Sequence, residues 1–542
     1  MKKRFQTLFI AITMSVTGCT IYNPNYVDVY NHQYDDLEVS SISPKYSKYT
    51  YKDYDKNSFY GELGYPVSYS PSVGDVNFIV VPVWFTDSTD CIAKTSRSKV
   101  REDIEKAYFG TSDDTGWESV SSYYYKDSFE KLNLSGIVTD WYECGYPSSS
   151  FYTNSYATNQ LVINAYNWIL SKNVIEDITK YDSDHDGFLD GLVLVYGYHD
   201  YSVIGRTSSS HKNAGNLWAY TSWIMNSKYK NVEQPGPSSF FWSSYDFMYD
   251  DGKYTQSRTG KSSYGTGDNT IMTIDPHTFI HETGHMFGLP DYYDYSGEHS
   301  YSLGFSMQDY NVGAHDPYSR FSLGWASAIV PTETTKISLP LMEESGTFVL
   351  LNPEYHDSAF DEYLALELYS PTGLNEFDSE NQYLQHYPAG PQRVGVRLWH
   401  VDSRIISVKK YNMFTGSINR YELTTNPNDG KVEAATSNTT YVEGKDASPT
   451  YDYAGSYDYK QLKVIRNSYK LLDIYGDYID TEERPEVLLQ DDLFLEGDYF
   501  SLHNYREQFV EGNYLNSLEE LGWDFYIDKI TDKNATITLI KK

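Results

Sequence analysis

The stretch from Asp275 to Asp294, DPHTFIHETGHMFGLPDYYD, constrains the folding of this chain more than any other. Asp275 is a good N-cap, Pro276 suits the first helical position and Gly288 is a natural stop, so a helix is predicted over 276–287. His281 and His285 then project from one face, where both imidazoles can reach a single ion. His277 shares that face, but about 12 Å of helical rise separates it from His285, too far for one tetrahedral ion. Glu282 selects the pair. In His-Glu-x-x-His, the Glu beside the first ligand can take a proton from a metal-activated water. Gly288 allows a left-handed exit and a sharp turn, which would bring Asp291 under the metal as a third ligand and leave a fourth position open.

The chain has 542 residues, enough for two or three domains. Its net charge, 43 − 75 = −32, argues against nucleic acid and anionic membrane surfaces as partners. The N-terminus reads as MKKR, then the apolar FQTLFIAITMS, then VTGC. That order looks like a bacterial lipoprotein signal over 1–18, with cleavage before Cys19 and lipid on its thiol. The expected product is exported and tethered at the cell surface through Cys19, or released, and meets the membrane only through that anchor. Cys91 and Cys144 could pair in such a compartment, but two cysteines alone do not establish a disulfide.

Residues 19–75 are polar and weakly periodic, as a tether or a pro-segment would be. From 76 to 330 strand and helix patterns alternate. VNFIVVPVWFTD and FLDGLVLVYGY read as buried strands, and SKVREDIEKAYFG and NQLVINAYNWILSKN as helices, which predicts an α/β architecture. From 331 to 542, short alternating runs such as GTFVLLN, EYLALELYS, VGVRLWHVD and NATITLI predict an all-β, sandwich-like domain.

A second ion is suggested by DSDHDGFLD. Asp182, Asp184, Asp186 and Asp190, the carbonyl of Phe188 and a turn at Gly187 follow calcium-loop spacing, although Val193 stands where an EF-hand has Glu. After the histidine helix, Met307 lies in a turn-like context, the mark of a metzincin methionine turn. Tyr310, three residues on, is the expected donor to a tetrahedral oxyanion.

Taken in order, VNFIVVPVWFTD, SVSSYYYKDSFEKLNLSGIVTDWY, DSDHDGFLDGLVLVYGY, HETGHMFGLPDYYD, LGFSMQDY and HDPYSRFSLGW resemble the immune-inhibitor-A family of secreted bacterial metallopeptidases. The likeness covers about residues 76 to 410 well. It implies a metzincin-like zinc endopeptidase acting on protein or peptide substrates as a monomer. Zinc would sit on His281, His285 and Asp291, with Glu282 as general base, Met307 as the structural turn and structural calcium nearby. Phe305-Ser306 stands where that family has Trp-Asp, and His277 has no role in the family pattern. The strand around LSGIVTDWY is an expected edge for an extended substrate. A surface adhesin on a silent peptidase scaffold is the rival reading, and an intact Glu282 argues against it.

Overall fold

The structure is a computed structural model and describes residues 28–56, 68–201, 214–249, 273–295, 300–381, 383, 388–412, 417–428, 431–434, 436–439, 459–469 and 487–542. The segment expected as a lipoprotein signal, residues 1–18, and Cys19 lie outside these residues.

Strand β1 (Val39–Ser40) precedes the central β2 (Gly74–Trp84), which lies between β3 (Leu132–Val138) and β5 (Gly191–Tyr196), parallel to both. β7 (Ser239–Ser244) continues the sheet in parallel beyond β5, β6 (Tyr220–Trp223) runs antiparallel at the far edge, and β4 (Tyr142–Glu143) pairs with the end of β2. Alternate side chains of the central strands enter different cores, as a period of two requires. Val76, Phe78, Val80, Val193 and Val195 face one core, and Ile79, Val81, Val83, Leu192 and Leu194 the other. The first core receives helices α1 (Arg97–Phe109) and α2 (Val120–Asp127), and the second α3 (Ser155–Ser171). Pro82 is tolerated in a central strand because β3 ends its pairing at Val80 and β4 begins at Val83.

The α/β layer also carries α4 (His277–Met286), α5 (Met307–Tyr310) and α6 (Pro317–Ser322). Beyond it lies a mixed sheet of β8 (Ser327–Ile329), β10 (Thr347–Leu351), β11 (Glu362–Tyr369), β12 (Gly395–Asp402) and β16 (Leu462–Ile465). A second five-stranded sheet joins β1 to β9 (Thr335–Pro340), β19 (Asn534–Lys541), β18 (Trp523–Ile530) and β17 (Tyr499–Phe500). The two sheets share a core that includes Leu364, Leu366, Leu398, Phe525 and Ile537. β13 (Ile405–Asn412), β14 (Ser417–Thr424) and β15 (Lys431–Ala434) form a small third sheet in this half.

The C-terminal half is not purely β. It contains α7 (Met342–Ser345) and α8 (Leu374–Glu380), short helices that a reading of strand alternation passes over. The first sheet also faces both ways. Phe348, Leu350, Tyr363, Trp399 and Val401 on its other face join the core that holds the histidine helix. The chain is therefore mixed α/β with several mixed sheets and few helices. No described helix is long and apolar enough to cross a membrane.

Of the segment expected as a tether or pro-segment, 28–56 and 68–75 are described and packed. β1 pairs in parallel with β9, and the Lys45 backbone bridges Ala328. Tyr51 and Tyr54 are buried against Phe360. The Tyr51 hydroxyl lies 2.7 Å from that of Tyr318, and Ser70 N–H donates to the Met286 carbonyl at 2.7 Å.

Candidate metal centre

α4 begins one residue later than the sequence suggests, at His277, where Asp275 Oδ1 accepts the backbone N–H at 3.3 Å. Phe279, Ile280 and Met286 fix the helix in the core, and the Tyr124 hydroxyl donates to the Ile280 carbonyl at 2.7 Å. At Gly284 a Cβ would fall 2.2 Å from Gln308 Oε1, so a larger residue there would displace the Gln308 side chain. Gly288 has φ +107°, and a Cβ there would strike Tyr51. The turn it permits brings the chain back to Asp291.

The three expected ligands converge. His281 Nε2 lies 3.0 Å from Asp291 Oδ1 and 3.1 Å from His285 Nε2, and His285 Nε2 lies 3.1 Å from Asp291 Oδ1. A tetrahedral zinc with bonds of roughly 2.0–2.1 Å sets its ligand atoms about 3.3 Å apart, so this triangle fits one face of such a site. The outer nitrogens fix the tautomers. His281 Nδ1 donates to the Met307 carbonyl at 2.7 Å and His285 Nδ1 to the Leu289 carbonyl at 2.6 Å, which turns both Nε2 lone pairs inward. Tyr295 donates its hydroxyl to Asp291 Oδ2 at 2.8 Å. Burial opposes ionisation of Asp291, but the two imidazoles hold its carboxyl well below the usual range.

Glu282 is buried beside the triangle, and among the described residues its Oε2 has no hydrogen-bond partner. Burial pushes its carboxyl up against the pull of His285 and His281. Thr221 on the edge strand β6 donates to the Glu282 carbonyl at 2.7 Å. The strand edge tied to this helix is thus β6, whereas the sequence pointed to the strand around LSGIVTDWY, which is β3 and packs against α1 and α2.

Met307 lies directly under His281, but its carbonyl makes the contact while its side chain is buried in the core. Asp309 Oδ2 gathers the loop before it, accepting from Ser300 Oγ at 2.9 Å and Gly304 N–H at 2.8 Å. Phe305 packs edge-on against Tyr369 with ring centroids 6.0 Å apart. The ring of Tyr310 lies against Gly304. The phenols beside the triad are Tyr295 and Tyr293, whose ring centroid is 6.3 Å from that of His281. Burial, Asp291 and Glu282 keep the Tyr293 phenol protonated. Both tyrosines sit just after the third ligand in PDYYDY, a signal that was available in the sequence and hidden by the abundance of tyrosine.

Behind the ligands runs a network that no spacing revealed. Gln308 Nε2 is 3.3 Å from His285 Nδ1, and its Oε1 is 3.1 Å from His315 Nε2. His315 Nδ1 meets Asp127 at 2.6 Å, and Arg320 joins Asp127 to Glu343 at 2.7 and 2.8 Å. Burial disfavours the Asp127 charge, yet Arg320 and His315 bring its carboxyl down to about 2. His277 is not a ligand. Its ring stacks between Trp117 and Tyr383, with centroids 4.3 and 4.1 Å away, and it bridges Asp275 and Asp378.

The acidic loop is organised differently. Carboxylate oxygens of Asp182, Asp184 and Asp190 lie within 4.8 Å of one another, a fit for a hard cation. Asp186 is instead engaged by Lys52 Nζ at 2.9 Å and Ser68 Oγ at 2.5 Å, and Lys52 also reaches Asp184 at 3.0 Å. Asp182 accepts the N–H groups of Asp186 and Gly187, each at 3.0 Å. Phe188 forms a parallel bridge with Gly236, and burial pushes the Asp190 carboxyl up to about 6.

Comparison with protein-family models and with curated proteins yields no match.

Proposed function

We propose that this chain is a zinc-dependent endopeptidase with a metzincin-like site. The observation that carries the reading is the convergence of His281, His285 and Asp291 beside a buried Glu282 whose Oε2 has no partner among the described residues. A zinc ion held by those three residues would polarise a peptide carbonyl and acidify a water to near neutral pH. Glu282 takes the proton of the attacking water on Oε2 and passes it to the nitrogen of the departing amine. Its burial makes it a base that does not share its charge with solvent. Tyr293, protonated and adjacent to Asp291 and Glu282, donates to the oxyanion in the role first expected of Tyr310. The β6 edge, anchored to α4 through Thr221, receives the substrate as an extended strand.

Calcium belongs to this reading as a structural ion on Asp182, Asp184 and Asp190, with Asp186 left to Lys52. So do export and tethering through Cys19. The deciding experiment is cleavage of unfolded casein by the chain beside its Glu282→Gln variant, with zinc content measured on both. Cleavage by the first alone, at equal zinc content, supports the base assignment. Equal cleavage by both would remove it.

A further inference from the structure

On the face of the central sheet away from the histidine helix, α3 and the turn before it enclose a groove of about 240 Å³. Its floor is Phe151 and Leu161, both buried, and its walls carry Tyr146 and Tyr156. The two tyrosines are left largely in solvent, 52 % and 73 % exposed. Single exposed aromatic residues are ordinary on a protein surface, but these two flank one depression.

The walls are held from behind. Ser148 N–H donates to Asp87 Oδ1 at 2.8 Å and Asn216 Nδ2 to the Phe151 carbonyl at 2.7 Å, which pins the turn Ser148–Phe151. The Tyr146 carbonyl accepts the Thr86 N–H at 3.0 Å, and its ring stands edge-on to Phe151 with centroids 6.4 Å apart. Asn154 caps α3, its Oδ1 accepting the Tyr156 N–H at 3.0 Å. A cavity formed in advance loses little entropy on binding.

The polar part lies along one stripe of α3. Gln160 and Asn164, one turn apart, both line the groove, and Gln160 Nε2 donates to Asn164 Oδ1 at 3.1 Å. Among the described residues that bond leaves Gln160 Oε1 as an acceptor and Asn164 Nδ2 as a donor. Turning both amides over leaves the same complement. No Asp, Glu, Lys, Arg or His among the described residues lines the groove, in a chain whose net charge is −32.

Those features select the occupant. An aliphatic ligand would strip water from both amides and return nothing. A proline-rich segment fills aromatic grooves, but its prolines have no N–H for the free acceptor. An extended peptide pairs along a strand edge, and a helix face offers none. An anion finds no cation here and meets the repulsion of the whole chain. A neutral pyranose satisfies each demand, with C–H groups to lay against tyrosine and adjacent hydroxyls that both donate and accept. The volume falls below the roughly 300–1,000 Å³ of pockets for drug-sized ligands, which suits a single ring.

We propose that this groove binds one neutral hexopyranose unit of a glycan, seated against Tyr146 and Tyr156 and hydrogen-bonded to Gln160 and Asn164. The site is separate from the metal centre and does not depend on its chemistry.

The test is saturation-transfer NMR on the full chain with the methyl glycosides of glucose, galactose, mannose and N-acetylglucosamine, each titrated through the millimolar range. Methyl glucuronide and hexaproline are run beside them. The expected result is transfer to at least one neutral glycoside, with a Kd of about 1 mM, and none to the glucuronide. Tyr156→Ala should weaken that glycoside about tenfold, and Tyr156→Phe, which keeps the ring, should stay within about twofold. Gln160→Ala should weaken it roughly fivefold. Tyr156 and Gln160 are both exposed, so neither substitution threatens the fold. The proposal is overturned if no neutral glycoside binds, if the glucuronide binds as tightly, or if Tyr156→Ala keeps the parent's affinity. Hexaproline bound through Tyr156, with no glycoside bound, would give the groove to a proline-rich partner instead.

Discussion

The histidine helix and the acidic loop both advertise a cation by spacing, yet they treat their donor atoms in opposite ways. At the helix, the outer nitrogens of His281 and His285 are engaged by carbonyls, and among the described residues the inward atoms meet only one another. At the loop, the chain supplies its own cation, Lys52, and backbone N–H groups occupy both oxygens of Asp182. A donor set whose orientation is fixed from behind suits an ion. One already neutralised from within can keep its shape without one. Four carboxylates close together need positive charge of some kind, and the sequence could not say that a residue of the N-terminal segment would bring part of it.

The sharpest way to break the comparison is at Glu282. Glu282→Gln should lower kcat for peptide cleavage by roughly 10³-fold while zinc content, read by atomic emission, stays unchanged. A parallel loss of zinc would mean that Glu282 builds the site and does not act as its base. Next is the support behind the ligands. Asp127→Asn leaves Arg320 short of a buried partner and should cost about 3 kcal/mol in chemical denaturation. The folded-state carboxyl is depressed to about 2, so its stabilisation is present above the unfolded value near 3.8 and is lost as pH falls through about 2. The parent chain should therefore lose about 2 kcal/mol more than the variant on that descent.

Tyr293→Phe should lower kcat by about 100-fold with KM little changed, whereas Tyr310→Phe should stay within about twofold of the parent. The reverse ranking would restore the oxyanion role to Tyr310. The smallest effect is expected at the loop. Lys52→Met removes the internal ammonium, and calcium titrated into the variant should raise its melting temperature by more than it raises the parent's. At a hundredfold excess over Kd, bound calcium stabilises by about 2.7 kcal/mol. Equal shifts in both proteins would show that Lys52 and calcium do not share the loop.

How much of this was legible depended on sequence distance. His281, Glu282, His285 and Asp291 lie within one helix and one turn, so covalent geometry alone brings them together. β2 and β5 were legible because burial on both faces leaves an unbroken apolar run. The network from Gln308 to Asp127 was not, since His315 and Asp127 are 188 residues apart and no spacing rule links them. His277 was ambiguous for the same reason: Trp117 and Tyr383, which stack on it, come from two other parts of the chain. The two short C-terminal helices were missed because four and seven residues carry too little periodicity to stand out from turns.

Tyr51 presses on the glycine turn that delivers Asp291 and touches Tyr318, 267 residues further along. Contacts of that range form late, because a long loop must close before they repay its entropy. By that reasoning the stretch around Tyr51 is expected to be seated late, and the turn leading to Asp291 lacks this packing partner until it is. Trimming the chain through residue 56 would take away Tyr51, the side chain that packs on the turn leading to Asp291.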